Sequence, residues 1–92
     1  MAKRLTIEGR VQGVGYRYSF AEAASALGLA GWVCNLRNGT VEACVHGDAE
    51  AIDAIVTWAK RGPPAARVER VNIVESDEDF SAQRQFLILE TH

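Results

Sequence analysis

Gly9-Arg10-Val11-Gln12-Gly13-Val14-Gly15-Tyr16-Arg17 is where the hydrophobic period of this chain changes. Before it, residues 4–11 alternate, with Leu5, Ile7, Gly9 and Val11 on one side and Arg4, Thr6, Glu8 and Arg10 on the other. That pattern predicts a half-buried strand, and Gly9 inside it predicts a bulge or a close backbone approach. After it, residues 18–27 place Phe20, Ala24 and Leu27 at i, i+4 and i+7, with Ala21 and Ala23 filling gaps. This predicts a short amphipathic helix, stopped at Gly28. The stretch thus leads from a strand into a helix start through two closely spaced glycines. Glycine lets backbone come close to a ligand, and a helix start offers unpaired N–H groups and a positive dipole end. Arg17 adds a planar donor fork suited to phosphate. The expected device is a phosphate-binding loop.

Downstream, residues 30–36 and 40–46 predict a hairpin around Asn38-Gly39, a dipeptide that favours a two-residue turn with positive φ. In that register Leu36 faces Val41, Cys34 faces Ala43 and Trp32 faces Val45, all on one side, while Asn35 and Glu42 share the other. The coherent apolar set supports the register, because a one-residue slip flips every side chain. It also puts Cys34 on the core side and Cys44 on the opposite side, so a disulfide between them is not expected. Asp48 is a candidate N-cap. Ile52, Ile55, Val56 and Ala59 form a helical stripe that ends at Gly62-Pro63-Pro64. Residues 68–75 predict a strand carrying Val71 and Ile73, Glu75–Asp79 an acidic loop, and 84–90 a last strand without clear alternation.

The predicted order is β-α-β-β-α-β with a short final strand. This is an α+β, ferredoxin-like split βαβ arrangement, an antiparallel sheet with two helices on one face. A crossover helix makes the first strand and the strand at 30–36 parallel, with the third between them. Their C-terminal ends share one rim of the sheet. The glycine loop leaves one end and Asn35 sits near the other.

At 92 residues the chain is expected to form one domain, residues 1–92. It is 48% hydrophobic and 24% charged, in the range of an ordinary globular protein. The net charge of −2 argues against a general nucleic-acid binder, which needs a basic face. The two strands expected at the centre of the sheet also lack the aromatics of a ferredoxin-like RNA-binding domain. Lys3 and Arg4 are not followed by an apolar run of signal-peptide length. Nor does any segment approach the ~18 apolar residues of a membrane span. With two cysteines expected to be reduced, the predicted location is the cytoplasm.

Two motifs, Gly9-Arg-Val-Gln-Gly-Val-Gly-Tyr-Arg17 and Gly31-Trp-Val-Cys-Asn-Leu-Arg-Asn-Gly-Thr-Val-Glu42, resemble those of the acylphosphatases, and length and element order match that family over essentially the whole chain. The resemblance implies hydrolysis of a carboxylic–phosphoric mixed anhydride, a small-molecule acyl phosphate, without metal or other cofactor; a monomer is expected. It implies that the loop Gln12, Gly13, Val14, Gly15, Tyr16 and Arg17 binds the phosphoryl group. Arg17 would be the catalytic arginine and Asn35 the catalytic asparagine that positions the attacking water. Tyr16 stands where phenylalanine is common and Asn38 where aspartate is common. The tail Phe86-Leu87-Ile88-Leu89 lacks a basic residue often found there.

The residue chemistry runs the same way. Phosphoryl transfer needs positioning and charge stabilisation more than covalent help, which N–H groups and a guanidinium supply. An asparagine is no base, but it can orient a water. An acyl phosphate leaves as a carboxylate that needs no proton at neutral pH, so a site with no obvious acid suits it better than an alkyl ester. A cysteine-phosphatase cradle of the Cys-x5-Arg kind would need its nucleophile at position 11, which is Val11. The Walker pattern is absent. A non-enzymatic anion-binding module using the same loop is the competing reading. His46 and Asp48 are expected to be a strand-end histidine and a helix cap. Trp32 and Trp58 are expected to pack, and Asp77-Glu78-Asp79 to be a hydrated loop. Arg10 and Arg37 could add positive charge to the rim.

Overall fold

The computed structural model describes residues 1–80 and 83–91. Its elements are β1 (Ala2–Arg10), α1 (Tyr16–Ala26), β2 (Ala30–Asn35), β3 (Val41–His46), α2 (Ala49–Arg61), β4 (Arg67–Glu75) and β5 (Phe86–Ile88). They form one sheet in the order β4-β1-β3-β2-β5. β3 lies between the parallel strands β1 and β2, as the crossover through α1 requires. β5 pairs with β2 in parallel, so the sheet is mixed, where an antiparallel sheet was expected.

Alternation along the strands builds the core. Leu5 and Ile7 of β1, Val33 of β2, and Val41, Ala43 and Val45 of β3 are buried together with Phe20 and Ala24 of α1 and Ile52, Ile55 and Ala59 of α2. Both helices therefore cover one face. Trp58 packs its ring against Tyr16 and Phe20, with centroids 5.4 Å and 5.7 Å away, and Phe20 meets Phe86 at 5.7 Å. These rings tie the start of α1 to α2 and to β5. Helix α1 begins at Tyr16, two residues before the periodic stretch, and closes with Leu29 N–H donating to the Ala24 carbonyl at 3.0 Å and Gly28 N–H to that of Ser25 at 3.0 Å. This double bond pattern is the usual glycine-type helix stop. Asp48 occupies the N-cap position of α2, but its side chain makes no capping bond. The expected irregularity at Gly9 is present. The β1–β4 register shifts between Glu8 and Gly9, and a Cβ at Gly9 would collide with the Arg67 carbonyl.

The hairpin register differs from the expected one by a residue. Asn35 pairs with Val41, Cys34 with Glu42, Val33 with Ala43 and Trp32 with Cys44. A two-residue turn of the expected type needs positive φ at both central residues. Asn38 does not have it, whereas Gly39 does, at φ 95°. The connection is a three-residue loop instead. Gly39 N–H donates to the Leu36 carbonyl at 3.1 Å, and Leu36 N–H donates to the Thr40 carbonyl at 2.9 Å. The Asn38 carboxamide oxygen accepts from Thr40 N–H at 3.1 Å and from its hydroxyl at 2.7 Å, which holds the turn. Cys34, Glu42, Cys44 and Trp32 consequently share the face away from the helices, and Asn35 lies on the helix side with Val33 and Val41. The expected separation of the cysteines and the shared side of Asn35 with Glu42 are both overturned. Cys34 and Cys44 are buried free thiols.

The acidic segment after β4 also has more to do than hydrate. Glu78 accepts from the Trp32 indole N–H at 2.8 Å and from Arg4 at 3.3 Å, and the Arg4 guanidinium lies 5.6 Å from the Trp32 ring centroid. Phe80 is buried with Ala2, Ala30 and Cys44, and its ring meets His46 at 5.8 Å. The segment thus covers the outer face of the sheet where β1, β2 and β3 would otherwise expose apolar side chains.

Candidate active site

β1 ends at Arg10 and α1 starts at Tyr16, so residues 11–15 form the loop. Gly15 is the N-cap of α1 in the left-handed region, φ 79°, and Gly13 has φ 74°. Glycine supplies these angles without steric cost and leaves no side chain over the helix start. The first-turn N–H groups of α1 have no helical acceptor, no side chain caps them, and no acidic residue stands in that turn. The dipole end is therefore open to an external anion.

A cavity of about 140 Å³ sits at this point, lined by Val11, Gly13, Gly15, Tyr16, Arg17, Tyr18 and Asn35. The topology brings Arg17 and Asn35, 18 positions apart in sequence, to one cavity, as the shared-rim expectation requires. A wider groove of about 540 Å³ lies between α1 and the end of α2, lined by Ser19, Glu22, Trp58 and Arg61 among others. Neither the glycine loop nor Asn35 reaches it.

Two of the predicted loop residues do not line the cavity. Val14 packs on the core. Gln12 turns its carboxamide toward the hairpin, and its nitrogen donates to the Leu36 carbonyl at 2.7 Å and the Thr40 carbonyl at 2.8 Å. Its side chain is committed to the β2–β3 turn, which leaves its main chain to serve the loop. Tyr16 lines the cavity, but its side chain is buried and the hydroxyl donates to the Ala59 carbonyl at 2.8 Å. Burial pushes the Tyr16 phenol above its ordinary range, so it stays protonated and structural.

Arg17 is half-buried and one guanidinium nitrogen donates to the Leu89 carbonyl at 2.8 Å. Leu89 in turn donates its N–H to the Val33 carbonyl at 2.8 Å. Arg17 is thereby pegged, through the end of β5, to β2, the strand that carries Asn35. A fixed fork retains donors for a phosphoryl oxygen and loses little side-chain entropy on binding. The carboxamide oxygen of Asn35 is buried and has no hydrogen-bond partner within the protein. A buried polar atom left so costs about 1–3 kcal/mol unless something satisfies it, and Asn35 itself lines the cavity. Burial pushes the Cys34 thiol up, Glu42 adds to this and Arg17 opposes it, so Cys34 is not a thiolate nucleophile. Arg10 and Arg37 are exposed and do not line the cavity. Among the described residues no group of three or more His, Cys, Asp or Glu side chains could hold a metal ion.

Sequence reading did not find the Leu89 contact, because it is made by a backbone carbonyl with no side-chain signature. Nor did it single out Tyr18, which follows the arginine directly and had only its type to mark it.

Fold and site together define a small α+β protein in which a glycine–arginine loop at a helix start shares a small cavity with an asparagine. A family model described as Acylphosphatase matches residues 3–88. The chain is 54% identical over 76 residues to an acylphosphatase of Acidovorax sp. (strain JS42), covering 83% of this chain and 78% of that one. It is 48% identical over 86 residues to an acylphosphatase of Acaryochloris marina, covering 94% and 90%. The crystal structure of acylphosphatase from Bacillus subtilis superposes with a TM-score of 0.89 at 35% identity, covering 96% of this chain and 97% of that one. The chain belongs to the acylphosphatase family.

Proposed function

We propose that the chain hydrolyses acyl phosphates to a carboxylate and inorganic phosphate by direct in-line attack of water. The observation that carries this is that Asn35 lines the same small cavity as the anion loop and Arg17. Gly13, Gly15 and the first-turn N–H groups, with the Arg17 guanidinium, hold the phosphoryl oxygens and stabilise the charge that spreads over them. Asn35 holds the water. The water oxygen bonds to phosphorus as the bridging P–O bond breaks, and the bonding pair leaves on the carboxylate. The water's protons pass to the phosphate product and solvent. The leaving group needs no acid, and nothing in the scheme calls for a metal or a covalent enzyme intermediate. Gln12, Val14 and Tyr16 serve the loop through their main chain and by shaping it.

One sheet and one main core join all the elements, which supports a single domain over residues 1–92, and the proposed working unit is a monomer. Among the described residues no helix is long and apolar enough to cross a membrane. With Cys34 and Cys44 as free thiols, the proposed location is the cytoplasm.

The test is phosphate release from acetyl phosphate and benzoyl phosphate with EDTA present. Turnover well above the spontaneous rate is expected. Phosphate binding by folded protein without turnover would defeat the enzyme reading in favour of an anion-binding module.

A further inference from the structure

We infer that Tyr18 selects the acyl half of the substrate, favouring acyl phosphates whose acyl group carries a flat ring over those with a short alkyl chain. This rests on the acyl phosphate reading above and adds to it the class of acyl group.

The first ground is space. The cavity holds about 140 Å³, well under the ~300 Å³ at which pockets that enclose a whole small ligand begin. It accommodates a phosphoryl group with the water on Asn35 and leaves no room for an acyl group beside them. The acyl group must therefore lie over the rim.

The second ground is what stands on the rim. Tyr18 lines the cavity and is 67% exposed. The other exposed large apolar side chains of the described residues, Met1, Leu27, Ile73, Val74, Leu87 and Ile88, do not line it. A single exposed tyrosine needs no explanation by itself. One that lines a phosphate-sized cavity and stays exposed is in reach of whatever the phosphate carries.

The third ground is rigidity. Tyr16 and Tyr18 stand two apart on the first turn of α1, and two apart on a helix do not face the same way. Tyr16 goes into the core, where its ring packs on Trp58 and its hydroxyl is bonded to Ala59. This anchors the turn that carries Tyr18, so its ring is offered from a fixed backbone with few rotors to immobilise. A ring face gains from an offset or edge contact with another ring and gains much less from a methyl group.

The experiment compares kcat/KM for benzoyl phosphate and acetyl phosphate in the full chain and in Tyr18→Ala and Tyr18→Phe, with competitive inhibition by inorganic phosphate measured alongside. The benzoyl-to-acetyl ratio is expected to fall about three- to tenfold in Tyr18→Ala and to stay within about twofold in Tyr18→Phe. An unchanged ratio in Tyr18→Ala, with the unsubstituted chain active on both substrates, overturns this inference and leaves the acyl phosphate reading standing. An equal fall in Tyr18→Phe assigns selection to the hydroxyl and also overturns it. So does phosphate inhibition that weakens in step with benzoyl phosphate turnover, since the loop itself would then have moved. Failure of the unsubstituted chain on both substrates sinks the reading underneath.

Discussion

The Gln12 carboxamide nitrogen donates to the carbonyl oxygens of Leu36, at 2.7 Å, and of Thr40, at 2.8 Å. One side chain from the phosphate loop thus closes the turn that follows Asn35. The loop follows β1 and Asn35 ends β2, and this contact ties the two together. In Gln12→Ala each carbonyl loses its side-chain donor and keeps only a backbone one, Gly39 N–H on Leu36 and Leu36 N–H on Thr40. Stability should fall by about 1–3 kcal/mol, and kcat should fall about tenfold as the placement of Asn35 loosens. Urea unfolding and benzoyl phosphate kinetics read the two effects separately. Unchanged kcat in a destabilised variant would confine Gln12 to folding.

Asn35 and Arg17 should fail in different ways. In the proposed mechanism Asn35→Ala removes the group that positions the water and leaves the phosphate grip intact, so kcat should drop about a hundredfold with KM within about twofold. Full turnover in this variant would remove Asn35 from the mechanism.

Arg17→Ala should raise the inhibition constant for inorganic phosphate and lower kcat together, for a loss of about 10²–10³ in kcat/KM. Arg17→Lys should recover little of it, because an ammonium cannot hold the Leu89 carbonyl and grip two phosphoryl oxygens with one planar fork.

The Leu89 contact is tested by the backbone. Leu89→Ala keeps the carbonyl that accepts from Arg17 and should leave kcat/KM within about threefold. Leu89→Pro removes the N–H that pegs this residue to Val33 and should lower kcat/KM about tenfold while raising the phosphate inhibition constant. Equal behaviour of the two variants would show that the peg does not matter.

Alkaline pH should weaken the fold in a defined order. Burial raises the Cys34 and Cys44 thiols from 9.0 and raises the Tyr16 phenol from 10.0. For each, the unfolded chain releases its proton at a lower pH than the folded one, so the stability this burial sets is intact below about pH 9 and declines as pH rises above it. The urea midpoint should be level from pH 7 to about 8.5 and fall between about pH 9 and 11. Tyr16→Phe should remove the later part of the decline.

The element order, the parallel pair β1 and β2, the two-helix face and the loop from Gly9 to Arg17 were legible because each depends on local pattern. Period two becomes period 3.6 across the glycines, and a crossover helix fixes strand direction wherever it occurs. That logic also put Asn35 on the right rim. It could not put Asn35 on the right face. Asn38-Gly39 suits more than one turn, and the apolar residues on both strands of the hairpin let two registers look coherent. The choice fell to contacts from outside the hairpin. Gln12 binds both ends of the turn, while Val33, Val41 and Ala43 are buried against the helices. Trp32, Cys44 and Phe80 close the other side. A one-residue difference in pairing inverts every side chain, so it separates an Asn35 turned from the loop from one that faces it. The sequence by itself determined which residues are available to the cavity at the start of α1. Tertiary packing decided that they meet, because register, the peg from Leu89 to Arg17 and the small size of the cavity come from contacts between segments far apart in the chain.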